Sequence, residues 1–196
     1  YIAPGLIMMS VITNSYGNVV GSFFNAKIQR HIEEMLVSPM DETSIVIGYL
    51  AGGIIRGLFV ATVVSFVALF FTELNIKYPL LALLVIIMTA SVFSLAGLIN
   101  AIFAKKFDDI AVIPSFVLAP LTYLGGVFYT VSLLPEFWQT VSRLNPILYM
   151  VNSMRYSVLG TSDIEIMDGL LMISGFFILL LSVAVYLLKK GIGIRD

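Results

Sequence analysis

Residues 78–104, YPLLALLVIIMTASVFSLAGLINAIFA, run for 27 positions without one charged side chain. As an α-helix rising ~1.5 Å per residue this stretch is about 40 Å long, more than the ~30 Å hydrocarbon core of a bilayer. A helix satisfies its own backbone hydrogen bonds, so it is the structure that so apolar a segment can adopt in lipid. Lys77 precedes the stretch and Lys105 and Lys106 follow it. Working outward from it, similar charge-poor stretches recur along the chain, and together they predict spans at about 1–24, 44–72, 78–104, 110–132 and 168–188. The second of these is interrupted only by Arg56.

Composition agrees with the pattern. Hydrophobic residues make up 59% of the 196 and charged residues 12%, with a mean hydropathy of +1.01, against about 25% charged residues in an ordinary soluble domain. The fold class is therefore an all-α membrane protein, a polytopic helical bundle. A net charge of −1 removes the electrostatic case for nucleic acid as partner. The chain has no cysteine, and its one histidine, His31, builds no metal site alone. It opens inside an apolar run, without an initiator Met or a signal-peptide pattern, which suggests an N-terminally truncated chain.

Lys and Arg in the connections set the orientation. Lys27, Arg30, Lys105, Lys106, Lys189, Lys190 and Arg195 fall on one side if all five stretches cross, and that side is expected to be the cytoplasm. Lys77, Arg143 and Arg155 fall on the other. The chain then begins outside and ends inside, so one further upstream span, for six in all, is the simplest completion.

Several segments carry more than apolarity. Ser10, Asn14, Asn18 and Ser22 recur every four residues, with Gly17 and Gly21 beside them, so one face of the first span is small and polar. Such a face avoids lipid, and either close helix packing or a translocation path accounts for it. Arg56, an ionisable group inside a span, is expected to face the bundle interior, unless it lies near the inner interface and snorkels. The Gly53–Gly57 spacing suits a close helix contact. Residues 26–37 read as one amphipathic helix, with Ile28, Ile32, Met35 and Leu36 on one side and Arg30, Glu33 and Glu34 on the other, ended by Pro39. It either lies on the membrane or docks a cytoplasmic partner. Asp41 is placed to cap the next span. Pro114 and Pro120, followed by Gly125-Gly126, predict a kinked fourth span that frays at its outer end. Residues 133–160 are too long for a turn and too apolar for a soluble loop. Pro135 opens a short helix bearing Phe137 and Trp138, Asn145-Pro146 breaks it, and a second helix follows, which suggests a re-entrant hairpin.

The stretch from Leu118 to Arg155 resembles the signature of ABC-2 type transporter permeases, through Leu118, Leu121, Leu124, Gly125, Val127, Leu134-Pro135, Pro146-Ile147, Tyr149 and Arg155. IAPGLIMMS near the start, FDDI after the third span and the basic tail extend the resemblance over essentially the whole chain. It implies a type V ABC exporter-like transmembrane domain, with five of six expected spans present. It also implies a homodimer in the bacterial inner membrane, contacting membrane lipid and driven by two copies of a separate ABC ATPase subunit. The 26–37 helix becomes the coupling helix, with Arg30, Glu33 and Glu34 facing the ATPase, and 133–160 the extracellular re-entrant helices.

The sequence has no glycine-rich phosphate loop with its lysine and no nucleophile with a positioned base, so no catalytic residue and no cofactor are assigned. An export permease working by alternating access, moving a drug, lipid or polysaccharide-like substrate, is the leading reading. A membrane scaffold that anchors an ATPase and transports nothing is the alternative.

Overall fold

The computed structural model describes residues 2–37, 41–72 and 76–193, without the side chains of Glu33, Leu36 and Ser132. Every regular element among them is helical. In chain order they are α1 (Ile2–Ile28), α2 (His31–Val37), α3 (Glu42–Ala68), α4 (Pro79–Phe103), α5 (Phe107–Ile113), a π-helical turn (Pro114–Leu118), α6 (Ala119–Leu124), a 3₁₀ turn (Val131–Leu133), α7 (Glu136–Arg143), α8 (Pro146–Leu159) and α9 (Ile166–Lys190).

Four of these runs are long and apolar enough to cross a membrane: Glu42–Ala68, Pro79–Phe103, Phe107–Leu124 and Ile166–Lys190. α1 matches α3 in length at 27 residues, but its Ser, Thr and Asn content keeps it outside that group.

Residues 78–104 form the centre of the bundle. α4 packs against α1, α3, α8 and α9, and buries residues around most of its circumference, among them Val85, Ala90, Leu95, Leu98 and Ile102. α1 lies antiparallel to α3 and buries Ile7, Met8, Val11, Ile12, Val19 and Phe23. Two glycines set the α1–α3–α4 spacing. A Cβ on Gly53 would overlap the Ser94 side chain and reach Val19 Cγ2 at 2.9 Å; on Gly57 it would stand 2.5 Å from Ser15 Oγ and 2.9 Å from Ala90 Cβ. Small residues let helix backbones approach where lipid supplies no hydrophobic force between them. A buried hydrogen bond from Asn100 Nδ2 to the Tyr16 hydroxyl, 2.7 Å, pins α1 to α4.

The fourth predicted span is interrupted as its prolines require. Pro114 removes a backbone donor, and the helix absorbs the defect as a π turn, a common form of helix irregularity. α6 then ends at Leu124 with Gly125 as its cap. This run lies at the edge of the bundle, with Ile110, Ile113, Leu118 and Leu121 partly buried against it: neither α5 nor the π turn has a fully buried residue, and α6 has only Thr122.

The amphipathic segment differs from its expectation. Residues 26–28 continue α1, and a turn at Gln29-Arg30 separates them from α2. Arg30 sits at φ 61°, in the left-handed region that a β-carbon disfavours, so the helix breaks there without Gly or Pro. Pro39 lies outside the described residues. Asp41 occupies the cap position of α3, where its carboxylate accepts a hydrogen bond from the Thr43 hydroxyl instead of a backbone N–H.

Candidate translocation surface and outer hairpin

The polar face of α1 is not buried within its own chain. Ser10, Asn14 and Asn18 are half-buried and Ser22 is exposed, along with Thr13, Gly17 and Asn25. Their donors return to the helix that carries them: Asn14 Nδ2 to Ser10 O (3.0 Å), Thr13 Oγ1 to Met9 O (2.9 Å) and Ser22 Oγ to Asn18 O (2.7 Å). α3 borders this strip, since a Cβ on Gly52 would lie 3.6 Å from Asn18 Nδ2. Arg56 is one helical turn beyond Gly52 on the same face of α3, and it is exposed. The expectation that Arg56 points into the bundle interior is therefore corrected for the single protomer. The interior positions beside it belong to Gly53 and Gly57, which are too tightly packed to admit a side chain there. Arg56 is the fifteenth of the 27 residues of α3, roughly 20 Å from either end of the helix at ~1.5 Å per residue. The strip thus joins a mid-helix cation to a ladder of amides and hydroxyls on the outer surface of the protomer.

Residues 135–159 form a helical hairpin. Pro135 caps α7, and Asn145 caps α8 by accepting from Ile147 N at 3.0 Å while its Nδ2 donates to Leu121 O at 2.6 Å. α8 therefore starts against α6. It ends where Val158 O and Ser157 O accept from Lys77 N (3.2 Å) and Tyr78 N (2.8 Å) at the head of α4. Tyr78 and Tyr156 stack there at 5.5 Å. α8 is not a surface element: Ile147, Leu148, Met150, Val151, Met154 and Val158 are buried against α1, α4 and α9. α7 is the opposite case, leaving Phe137 and Trp138 exposed, with Leu144 just beyond its end. Burial pushes the Tyr129 phenol above its ordinary value.

Arg155 holds this hairpin together. It is 1% exposed, donates through Nη2 to Gly126 O at 2.7 Å and through Nη1 to Asn152 Oδ1 at 3.4 Å, and stands 3.9 Å from Asp163 Oδ2. Asn152 Oδ1 also accepts from Asp163 N at 3.2 Å. One guanidinium so joins the turn after α6, the middle of α8 and the loop into α9. Gly126 is suited to that turn, with φ 73°. The remaining signature residues build the same unit. A Cβ on Gly125 would lie 2.7 Å from Ile147 Cγ2, Pro146 begins α8, and the Tyr149 hydroxyl donates to Arg143 O at 2.8 Å.

This construction carries the family assignment. The model of the ABC-2 type transporter family matches residues 1–159. The chain belongs to the ABC-2 type transporter family. It is 49% identical over 196 residues to the inner membrane transport permease YadH of Escherichia coli (strain K12), a match covering all of this chain and 77% of that one. It is 25% identical over 161 residues to nodulation protein J of Rhizobium leguminosarum bv. viciae, covering 82% of this chain and 62% of the relative. As an ABC-2 permease it is a multi-pass inner-membrane protein, of a family whose members are transport subunits, not enzymes themselves, and normally work with an ABC ATPase. Among the described residues, no three His, Cys, Asp or Glu side chains gather closely enough to hold a metal ion.

On the side expected to be cytoplasmic, α2 turns Ile32 into the bundle, 1% exposed, with Met35 half-buried behind it. Ile28, expected on that apolar face, is 52% exposed because it belongs to α1. Arg30 and Glu34 are exposed, and the Glu33 side chain lies outside the described residues. Two contacts gave no sequence signal. Lys27, read only as a topogenic charge, donates to Ile102 O (2.6 Å) and Ala104 O (2.9 Å) and so caps the end of α4. The Asn100–Tyr16 pair was likewise hidden, since neither residue reveals its partner across 84 positions.

Proposed function

We propose that the chain is the membrane-spanning subunit of an ATP-binding cassette exporter of type V architecture, in which α1 crosses the bilayer as a fifth span. The functional unit is a homodimer served by two ATPase subunits. One observation carries this reading: the Ser10, Asn14, Asn18, Ser22 and Arg56 strip lies on the surface of the protomer at mid-helix depth. Polar and charged groups at that depth are costly against lipid. A second copy, closing a water-filled path between two such strips, supplies the missing environment. α2 and the turn before it then serve as the coupling element: Ile32 is seated in the bundle, and Arg30, Glu33 and Glu34 are the residues assigned to contact the ATPase. The substrate class is a drug, lipid or polysaccharide-like molecule.

The test is reconstitution of the full-length permease with its ATPase in proteoliposomes. The reading expects ATP hydrolysis to rise with a transported compound and Arg56→Leu to abolish that rise while both subunits still co-purify. ATP hydrolysis indifferent to every candidate compound and to Arg56→Leu, with assembly intact, would favour the non-transporting scaffold.

A further inference from the structure

At the end of the bundle bearing most of the Lys residues, a cavity of about 620 Å³ opens between the end of α1, the end of α4 and the turn after α9. Two cations line it, Lys27 and Lys105. The rest of its wall is largely apolar, from Phe24, Ile28, Phe103 and Ile192. Lys27 is fixed in place, its ammonium held by the Ile102 and Ala104 carbonyls. The third wall is pressed close as well: a Cβ on Gly193 would lie 2.7 Å from Ile102 O. No Asp or Glu occurs among the described residues that line the cavity.

We infer that this cavity binds the phosphate headgroup of an anionic phospholipid of the inner leaflet. The division of its wall supports that class. Lysines at the mouth suit a phosphodiester, and Ile28, Phe103 and Ile192, 52%, 54% and 40% exposed, offer apolar surface beside it for the glycerol and first acyl carbons. A free inorganic phosphate would use the lysines and leave that surface unused. An acidic loop of the ATPase has the same charge but no call for apolar walls at the membrane edge. The site is separate from the polar strip and from the Arg155 hairpin. An occupying lipid would bridge the ends of α1 and α4 with the chain's C-terminal turn.

The experiment uses the full-length permease with its ATPase, purified in mild detergent and examined by native mass spectrometry with added phosphatidylglycerol, phosphatidylcholine or inorganic phosphate. Phosphatidylglycerol is expected to be retained in preference to phosphatidylcholine, and millimolar inorganic phosphate is expected not to displace it. Lys105→Gln, whose side chain caps no helix, should weaken that retention about five-fold, as loss of one lysine near an anionic headgroup implies. Lys27→Gln should do the same where the variant folds. Lys189→Gln removes the same charge from the same end of the molecule without touching the cavity and should leave retention unchanged. Equal retention of both lipids, displacement by inorganic phosphate, an equal loss in Lys189→Gln, or a Lys105→Gln variant that loses the ATPase and keeps the lipid would each overturn the inference.

Discussion

Arg155 and Arg56 are the same side chain in two membrane-associated helices with opposite surroundings. Arg155 is 1% exposed and lies between a carbonyl, an amide oxygen and a carboxylate drawn from three segments. Arg56 stands exposed at the middle of α3, on a face it shares with the half-buried amides of α1. A charge at such depth has to be compensated. In one case the chain compensates its own charge, and that charge becomes part of the fold. In the other, on the proposed reading, the compensation comes from outside the protomer and the charge serves transport. The difference predicts which arginine a stability assay detects and which a transport assay detects.

The largest effect is expected at Arg155. Arg155→Leu takes the donor from Gly126 O and Asn152 Oδ1 and should cost about 3–5 kcal/mol, as expected for two hydrogen bonds from a buried guanidinium at about 1.5–3 kcal/mol each. Thermal unfolding in detergent would register this as a collapse of the folded fraction. A fully stable Arg155→Leu variant would remove the structural half of the contrast. Next is Gly57→Leu, whose side chain has to displace Ser15 and Ala90; overpacking of about 1–3 kcal/mol or more should appear as a lowered Tm. Arg56→Leu is expected to leave Tm near wild type and to abolish substrate-stimulated ATP hydrolysis. A drop in Tm matching that of Arg155→Leu would place Arg56 in the fold after all.

Smaller effects sharpen the picture. Asp163→Asn keeps the backbone bond to Asn152 but takes the carboxylate from beside a guanidinium that is 1% exposed, so a loss of about 1–3 kcal/mol in thermal stability, below that of Arg155→Leu, is expected. Glu33→Lys combined with Glu34→Lys should leave insertion and Tm unaltered, since Ile32 provides the anchoring of α2. It should reduce co-purification of the ATPase; undiminished association with wild-type export would move the coupling role to another segment.

The contrast also explains what the sequence disclosed. Charge-free runs locate α3, α4 and α9 within a few residues, because nothing but helix suits so apolar a stretch in lipid. Pro135 and Asn145-Pro146 locate the hairpin, since proline chemistry is local. The Gly53–Gly57 contact was legible for the same reason. The surface position of Arg56 on the protomer was not legible, because periodicity says which residues share a face, and does not say whether that face meets the chain itself or a neighbour. The 26–37 helix was drawn too long because Arg30 adopts a left-handed conformation that no residue type nearby announces. Arg155 appeared as one of the charges that set the orientation and as part of a family signature, not as the centre of a buried network. Its main partner is the backbone carbonyl of Gly126, 29 positions away, and a carbonyl has no sequence signal.

The central claim is that the α1–α3 strip meets water or a partner copy, and not lipid. The absence of cysteine in this chain makes the direct measurement simple: single cysteines at Asn14, Asn18 and Ile178 of the full-length permease in membranes, treated with a charged, membrane-impermeant thiol reagent added to both faces. Ile178 is 62% exposed at the middle of α9, away from the strip, and serves as the reference expected to face lipid. The account predicts modification at 14 and 18 that changes when ATP is supplied to the complex, with little at 178. Modification at 14 and 18 as slow as at 178, in every nucleotide state, would contradict it.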